Sequence, residues 1–374
     1  MNKRIFLTIS QLTGGGAERV VSVWASELAE LGYDVGILLS CGAENEYPIS
    51  DKVKIHAISP TYAQYRQLSL FQKIMQRRKL LKQEKPEYLI SFLPHVQKLS
   101  MFASLGLGIK RIETVRVSPW HASSNKGLSK LLWKICYATG HKIILQSSDQ
   151  APYFGKRMQK KCVIIPNPIS RSYIDHFKTD HSGNITRFIA AGRIATQKNY
   201  PMMIRGFAKV ISAHAGENLV LDIYGAEDGQ AAKELQQLIQ TLHMEGNIFL
   251  RGRTPFIQKE YCSSDVYLMT SNYEGMPNAL MEAMASGLVC ISTDCKTGPR
   301  DLIEDGANGF LVPVGDVDAL AECIQRVLQM SEKERIAMAQ AARERILTYC
   351  SVENNTAALA KLLKLDRDCD ERNF

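Results

Sequence analysis

The sequence predicts an α/β protein with two parallel-sheet domains, on three observations. Short apolar runs of strand length alternate with longer amphipathic runs along almost the whole chain. The alternation breaks once, at Ile165-Pro166-Asn167-Pro168-Ile169 and the aperiodic polar stretch that runs to Thr186, and then resumes. A length of 374 residues suffices for two ordinary cores. The boundaries drawn from this are 1–170 for the first domain, 171–185 for a linker, 186–350 for the second domain and 351–374 for a closing helix.

In the first series, residues 4–9 read as a buried strand, Thr13-Gly14-Gly15-Gly16-Ala17-Glu18-Arg19 as a glycine loop, and 20–31 as a helix closed by Gly32. A strand at 35–39 follows, which is how a parallel sheet begins. The loop is neither Gly-x-Gly-x-x-Gly nor Gly-x-x-x-x-Gly-Lys-Ser/Thr, which argues against nicotinamide and P-loop enzymes. Further strands are expected at 54–58, 88–92, 112–117, 142–146 and 162–165. Of the intervening helices, 69–83 and 128–137 are the most basic. Lys126, Lys130 and Lys134 recur every four residues and so share a side, with Leu128, Leu131, Leu132 and Ile135 expected on the other. Such a helix suits an anionic membrane surface, or is an ordinary solvated face packed on a sheet.

The second series runs through strands at 187–190, 219–224, 248–251, 266–269, 288–292 and 309–312. Helices are expected from Tyr200, at 230–242, at 255–262 and from Asn278, then at 319–330, 332–349 and 351–365. Asp316-Val317-Asp318 resembles a metal-binding Asp-x-Asp, but an Asp just before a helical run is more simply an N-cap.

Nine scattered cysteines without a Cys-x-x-Cys pair argue for reduced thiols and against a zinc site. No run approaches the roughly eighteen apolar residues of a membrane span, and the N-terminus has no signal-peptide pattern, so a cytoplasmic location is expected. The net charge of +8 is uneven: residues 1–180 hold 26 Lys and Arg against 13 Asp and Glu, the remainder 20 against 25. A basic first half implies an anionic partner, whether membrane, lipid-linked substrate or nucleic acid.

Two stretches carry the chemistry. Tyr273-Glu274-Gly275-Met276-Pro277-Asn278-Ala279-Leu280-Met281-Glu282 holds two carboxylates around a Gly-Met-Pro turn. Pro277 starts the helix near Asn278, leaving Glu274 on the entering loop and the amides of Asn278, Ala279 and Leu280 available to an anion. The plainer reading is two solvated glutamates. The other stretch, Gly192-Arg193-Ile194-Ala195-Thr196-Gln197-Lys198-Asn199, follows a strand and offers a guanidinium fork and a flexible ammonium to phosphate oxygens. Two surface cations beside a helix N-terminus would be the bland alternative, which the helix dipole disfavours. Gly225 to Gly229 and Gly252-Arg253-Thr254 end neighbouring strands.

This combination resembles the retaining nucleotide-sugar glycosyltransferases of family 4, with the two-domain GT-B fold. The likeness rests on Gly192 to Asn199, on Glu274-x7-Glu282, on Gly14 to Arg19, on Ile165 to Pro168 and on Gly306-x-x-Gly309, and spans nearly the whole chain. It implies two Rossmann-like domains facing a cleft, with the C-terminal helix packed back on the first. It implies Arg193 and Lys198 on the donor diphosphate, Gly192, Arg253 and Thr254 around the nucleotide, Glu282 on the ribose and Glu274 facing the donor sugar. Met276, Pro277 and the amides of Asn278, Ala279 and Leu280 would line the donor, and Gly15 and Gly16 would approach its phosphates. Many relatives place a His after a strand of the first domain. This chain has Thr114-Val115-Arg116-Val117-Ser118-Pro119-Trp120-His121, closer to members that build surface polysaccharides, so Arg116 becomes the candidate donor or acceptor contact or else half of a structural salt bridge. Gly14, His121 and His95 are weaker acceptor candidates.

The resemblance thus implies a hexosyltransferase using a UDP-hexose or UDP-N-acetylhexosamine, with no metal or other cofactor. Its acceptor would be a saccharide on a membrane lipid, met at an anionic membrane surface. The alternatives are an epimerase or hydrolase on the same fold, and a basic nucleic-acid-modifying glucosyltransferase. The last needs exposed aromatics among the basic residues, for which only Trp133 and Tyr137 qualify, at positions that equally fit a buried face.

Overall fold

The computed structural model of the chain describes residues 3–42, 47–122, 127–214, 218–226 and 229–370, with side chains to 364 in the last helix. It divides into two compact units, 1–168 with 352–374, and 169–351.

Unit 1 contains β1 (Arg4–Ile9), α1 (Gly16–Glu30), β2 (Asp34–Cys41), β3 (Lys54–Ser59), α2 (Tyr62–Gln67), α3 (Leu70–Glu84) and β4 (Tyr88–Ser91). It continues with α4 (Pro94–Ser104), β5 (Lys110–Val115), α5 (Gly127–Thr139), β6 (Lys142–Leu145), α6 (Lys156–Gln159) and β7 (Cys162–Ile164). Its sheet is parallel, in the order β3-β2-β1-β4-β5-β6-β7. Both faces are covered, which is why the strands read as continuous apolar runs. Ile5, Leu7 and Ile9 pack toward Trp24 and Leu28 of α1, while Phe6, Leu38 and Leu89 meet Leu81 of α3 and Ala103 of α4.

Unit 2 opens with α7 (Arg171–Asp175), β8 (Arg187–Ala191), α8 (Tyr200–Ala213), β9 (Val220–Tyr224), α9 (Gln230–Thr241), β10 (Ile248–Gly252) and α10 (Ile257–Cys262). Then come β11 (Val266–Met269), α11 (Asn278–Ala285), β12 (Val289–Thr293), α12 (Pro299–Leu302), β13 (Phe310–Val312), α13 (Val317–Leu328) and α14 (Glu332–Tyr349). Its parallel sheet has the order β10-β9-β8-β11-β12-β13. The final helix, α15 (Val352–Asp370), returns to unit 1, where Leu359, Leu362 and Leu363 join the α1 core and the Leu363 carbonyl accepts from Lys3 Nζ at 2.6 Å. The architecture is therefore the doubly wound pair of sheets that the strand and helix runs predict.

Three local expectations change. Helix α1 begins at Gly16 rather than near Val20, so the glycine loop shortens to Gly14 and Gly15 and Glu18 falls in the first helical turn, where the dipole favours an acid. Residues 171–185 are not a linker. Tyr173 of α7 is buried against Tyr261, Lys178 pairs with Asp265 at 2.8 Å, and Arg335 donates to the carbonyls of His181 and Gly183 at 2.8 and 2.6 Å. Such tertiary ties leave no periodic trace. Finally, α5 is turned over relative to its lysine pattern: Trp133, Cys136 and Tyr137 are buried while Leu128, Leu131 and Ile135 point outward. The rings win the interior because both find an acceptor there, Trp133 Nε1 and Tyr137 Oη donating to Gln97 Oε1 at 3.1 and 3.3 Å. Lys126 lies outside the described residues.

Asp316 is an N-cap, its Oδ1 accepting from Ala319 N at 2.9 Å. Asp316→Ala is accordingly expected to lower unfolding stability by about 1 kcal/mol in urea titrations and to leave activity unchanged. A variant with wild-type stability and lost activity would show that this Asp serves the reaction instead.

Candidate active site

An open α/β sheet binds ligands beyond the carboxyl ends of its strands where the strand order reverses. In unit 2 that point lies between β8 and β11. Three glycines stitch this edge together. Gly192 N donates to the Tyr224 carbonyl and Gly225 N to the Gly252 carbonyl, each at 2.9 Å, and a Cβ on Gly225 would collide with the Gly192 carbonyl oxygen. Only bare backbone allows β8, β9 and β10 to end this close. Of the Gly225 to Gly229 loop, residues 227 and 228 lie outside the described set.

The loop after β8 is bound to the loop after β11. Thr270 Oγ1 donates to the Lys198 and Asn199 carbonyls at 3.0 Å, and the Asn272 amide group to the Thr196 carbonyl at 3.0 Å. This brings Lys198 Nζ to 2.8 Å from Glu274 Oε1, which also accepts from Ser271 Oγ at 2.6 Å, while Oε2 accepts from Gln197 Nε2 at 3.3 Å. Glu274 is 6% exposed. Burial, reinforced by the charge of Glu274, pushes the neighbouring Tyr200 hydroxyl far up. Arg193 is exposed and, among the described residues, makes no hydrogen bond or ion pair.

Helix α11 starts at Asn278 with Pro277 as its cap, and its first intrahelical bond is Met281 N to the Pro277 carbonyl at 3.1 Å. The amides of Asn278, Ala279 and Leu280 thus precede the helix's own bonding and form an anion-accepting turn. Met276, Pro277 and Leu280 bury their side chains, so only their main chain can meet a ligand. Glu282 is also buried, close enough to Tyr261 that its charge, after burial, helps hold that hydroxyl's pKa up. Arg253 is exposed, and Thr254, half-buried, accepts through Oγ1 from Phe256 N at 3.1 Å.

In unit 1 the order reverses between β1 and β4. Gly14, with φ of 58°, and Gly15 lead from β1 into α1, where Gly16 is the first residue. His95, near the start of α4, has Nε2 at 2.6 Å from Ser10 Oγ, and its pKa is lowered by burial and by the charges of Arg77 and Lys98. Arg116 leaves the end of β5 and lies flat over Trp24 and Phe92, at 4.5 and 4.8 Å from the ring centres. Its Nη1 donates to Asn167 Oδ1 at 2.9 Å, and that oxygen also accepts from Gln146 Nε2 at 2.7 Å. Burial pushes the guanidinium down to about 9. The structural salt bridge is not found: no carboxylate pairs with Arg116 among the described residues, and its Nε and Nη2 are buried without a partner. His121 contacts Ser118 Oγ through Nδ1 at 3.0 Å.

Among the described residues no group of three or more His, Cys, Asp and Glu could hold a metal ion, and no helix is long and apolar enough to cross a membrane. Trp133 and Tyr137 are 1% exposed each, which removes the aromatic platform that a nucleic-acid reading required.

Residues 14–173 match the family model described as Glycosyltransferase Family 4, and residues 173–345 the one described as Glycosyl transferases group 1. The chain belongs to glycosyltransferase family 4. It is 27% identical over 355 residues to the amylovoran biosynthesis glycosyltransferase AmsD of Erwinia amylovora, covering 93% of this chain and 96% of that one. It is 28% identical over 357 residues, 91% and 93% of the two chains, to a Campylobacter jejuni α-1,4-N-acetyl-D-galactosaminyltransferase named for an undecaprenol-diphosphate-linked saccharide. Anabaena HepE, in a complex with UDP and glucose, superposes with a TM-score of 0.79 at 16% identity over 97% of this chain and 99% of that one, a likeness of fold.

Within this transferase, unit 2 brings Gly192, Lys198, Glu274 and the α11 turn to one edge, with Arg193 beside them. Unit 1 gathers Gly14 to Gly16, His95 and Arg116 at the equivalent edge of its own sheet. Sequence reasoning missed the supports. Thr297, with φ of 74°, is a β-branched residue in the left-handed region, and its Oγ1 donates to the Glu274 carbonyl oxygen. At Gly298, φ of 99°, a Cβ would lie 2.6 Å from Pro277 Cδ, so this turn presses on the start of α11. The Thr297-Gly298-Pro299 turn after β12 was the available signal.

Proposed function

We propose that this glycosyltransferase moves a hexose or N-acetylhexosamine from a UDP-sugar, with retention at the anomeric carbon and without a metal ion, to a saccharide acceptor. That acceptor is carried on a membrane lipid or a polysaccharide repeat. The observation that carries the reading is the edge of the unit 2 sheet, where an uncommitted arginine, a lysine held by a buried carboxylate and the first turn of α11 converge. The names of the Erwinia and Campylobacter relatives support the acceptor class, and the Anabaena complex supports the donor class. Retention follows from the family resemblance.

In this reading Arg193, Lys198 and the α11 amides take the diphosphate. As the glycosidic bond loosens, charge accumulates on that leaving group, and fixed cations and N–H dipoles stabilise it most where it develops. Glu282 receives the ribose, and Arg253 and Thr254 rim the base. Glu274 faces the sugar as a hydrogen-bond acceptor and not as a general base, because its oxygens are already engaged by Lys198, Ser271 and Gln197. Arg116, His95 and His121 serve the acceptor side.

A panel of UDP-sugars should raise the melting temperature, a saturating one at a hundred times its Kd stabilising by about 2.7 kcal/mol. Arg193→Ala should lose most of that shift while melting normally without ligand, since Arg193 has no partner to strand. UDP release with a lipid-linked acceptor should persist in EDTA. No stabilisation by any UDP-sugar, or turnover abolished by EDTA, would overturn the donor or the metal-free part of the reading.

A further inference from the structure

The parallel pairing of β11 with β12 does not stop where the strands do. Within the sheet Val266 to Met269 pair in order with Val289 to Ser292. Beyond the strand ends Tyr273 still forms a parallel bridge with Lys296, and Thr297 Oγ1 donates to the Glu274 carbonyl, the partners 23 residues apart as they are in the sheet. Between the strands and these contacts Thr293 Oγ1 donates to the Ser271 carbonyl at 2.7 Å. The loop after β12 therefore follows the loop after β11 in the register of the sheet, and two threonine hydroxyls hold the main chain of Ser271 and of Glu274.

Thr297 makes its bond from a strained backbone. Of the five described non-glycine residues with positive φ it alone is β-branched. The left-handed region crowds a β-branched side chain against its own main chain, so such a residue persists only where the surrounding contacts fix it. A glycine would occupy the position without strain. What threonine supplies and glycine cannot is the hydroxyl, and because the side chain is fully buried it meets no ligand itself. The carbonyl it holds belongs to the residue whose carboxylate is fixed from the other side by Lys198, Gln197 and Ser271. From there the chain turns into α11 with Gly298 seated against it, where a Cβ would lie 3.1 Å from the Gly275 carbonyl oxygen and 3.2 Å from Met276 Cα. Glu274 thus has its side chain set largely by the loop after β8 and its main chain set by the loop after β12.

We infer that Thr297 is a positioning residue for the transfer step. It fixes the main chain of Glu274, and through it the carboxylate, where the donor sugar is met, while Arg193, Lys198 and the α11 amides hold the diphosphate without it. This role rests on the donor reading above, in which Glu274 faces the sugar. A group displaced by about 1 Å from its productive place can lower a rate by about 10²-fold. The signature of Thr297 is therefore a loss in kcat with the affinity for UDP unchanged.

Three substitutions in the full chain test it. Thr297→Val keeps the shape and the strained backbone but not the hydroxyl, Thr297→Gly removes hydroxyl and strain together, and Thr297→Ser keeps the hydroxyl. UDP release from UDP-glucose, UDP-galactose and their N-acetyl forms gives kcat, and the melting shift caused by UDP alone reports affinity. The valine and glycine variants are expected to lose about 10- to 100-fold in kcat and to keep the UDP shift of the wild type. Thr297→Ser should recover most of the rate. Thr297→Gly should also melt near the wild type, since relief of the backbone offsets the lost bond, which separates its loss of rate from any loss of fold. In a Glu274→Ala background Thr297→Val should lower the rate no further, because a residue that acts through Glu274 then has nothing to place. Wild-type kcat in the valine and glycine variants, beside a crippled Glu274→Ala enzyme, would overturn the inference and spare the donor reading. Wild-type kcat in Glu274→Ala would overturn both. A serine variant as slow as the valine one, a loss of rate that follows melting temperature across the set, or a valine effect undiminished in the Glu274→Ala background would each overturn the positioning role alone.

Discussion

Lys198→Met is expected to lower kcat by about 10²- to 10³-fold, the usual cost of removing one preorganised group that meets developing charge. The methionine keeps the stem that packs beside Gly192 and Tyr200 and removes only the ammonium. A second effect follows from the same contact. The pair is largely buried, with side-chain exposures of 17% and 8%, so losing the cation leaves Glu274 with Ser271 and Gln197 alone. Breaking such a pair from one side destabilises by about 3 kcal/mol. Adding Glu274→Gln should restore most of that stability, since an amide needs no counter-ion, yet leave kcat low. Urea unfolding and initial rates on the two variants separate the roles. Wild-type kcat in Lys198→Met would sink the assignment, and recovery of activity with stability in the double variant would make the lysine merely structural.

What could be read in the sequence was what local chemistry dictates. Gly192, Gly225 and Gly252 stand at three successive strand ends because the backbones touch there, and Pro277 does start α11 at Asn278. The grouping of Arg193, Lys198 and Glu274 followed from their places at strand ends of one sheet. The Lys198–Glu274 pair itself was not legible: the partners are 76 residues apart, and the loops that join them are held by side-chain-to-backbone bonds from Thr270 and Asn272.

The failures share a cause. A helical wheel ranks residues by polarity, but α5 was decided by which polar tips found partners, and Gln97 satisfies both Trp133 and Tyr137 while no interior group was needed for the leucines. The polar stretch 171–185 reads as a linker because its ties have no period: the His181 and Gly183 carbonyls accept from Arg335, and Lys178 meets the Asp265 carboxylate. In each case tertiary hydrogen bonding overrode the pattern. The same reversal leaves the apolar stripe of Leu128, Leu131 and Ile135 on the exposed side of α5.

Glu113→Gln is expected to make the protein more stable than wild type above neutral pH, although it removes a buried ion pair. Glu113 Oε1 accepts from Arg111 Nη1 at 2.9 Å, but Oε2 is buried without a partner. Burial outweighs the arginine, so the carboxyl is raised from 4.5 to about 7. The folded state therefore holds its proton more tightly than the unfolded one. That contribution is complete below the ordinary carboxyl value of 4.5 and is lost progressively until about pH 7. Glutamine copies the protonated form at every pH and keeps an oxygen for Arg111, which also donates to Thr139 Oγ1 at 2.6 Å. The gap between variant and wild type should widen by about 1.4 kcal/mol per pH unit over that window and level off on the order of 3 kcal/mol. Urea unfolding of both proteins from about pH 5 to about pH 8 measures it, the difference curve cancelling groups common to the two. A wild type more stable than the variant at about pH 8 would mean that the Arg111 pair returns more than the desolvation of both charges costs, the reverse of what a carboxylate with one stranded oxygen should do.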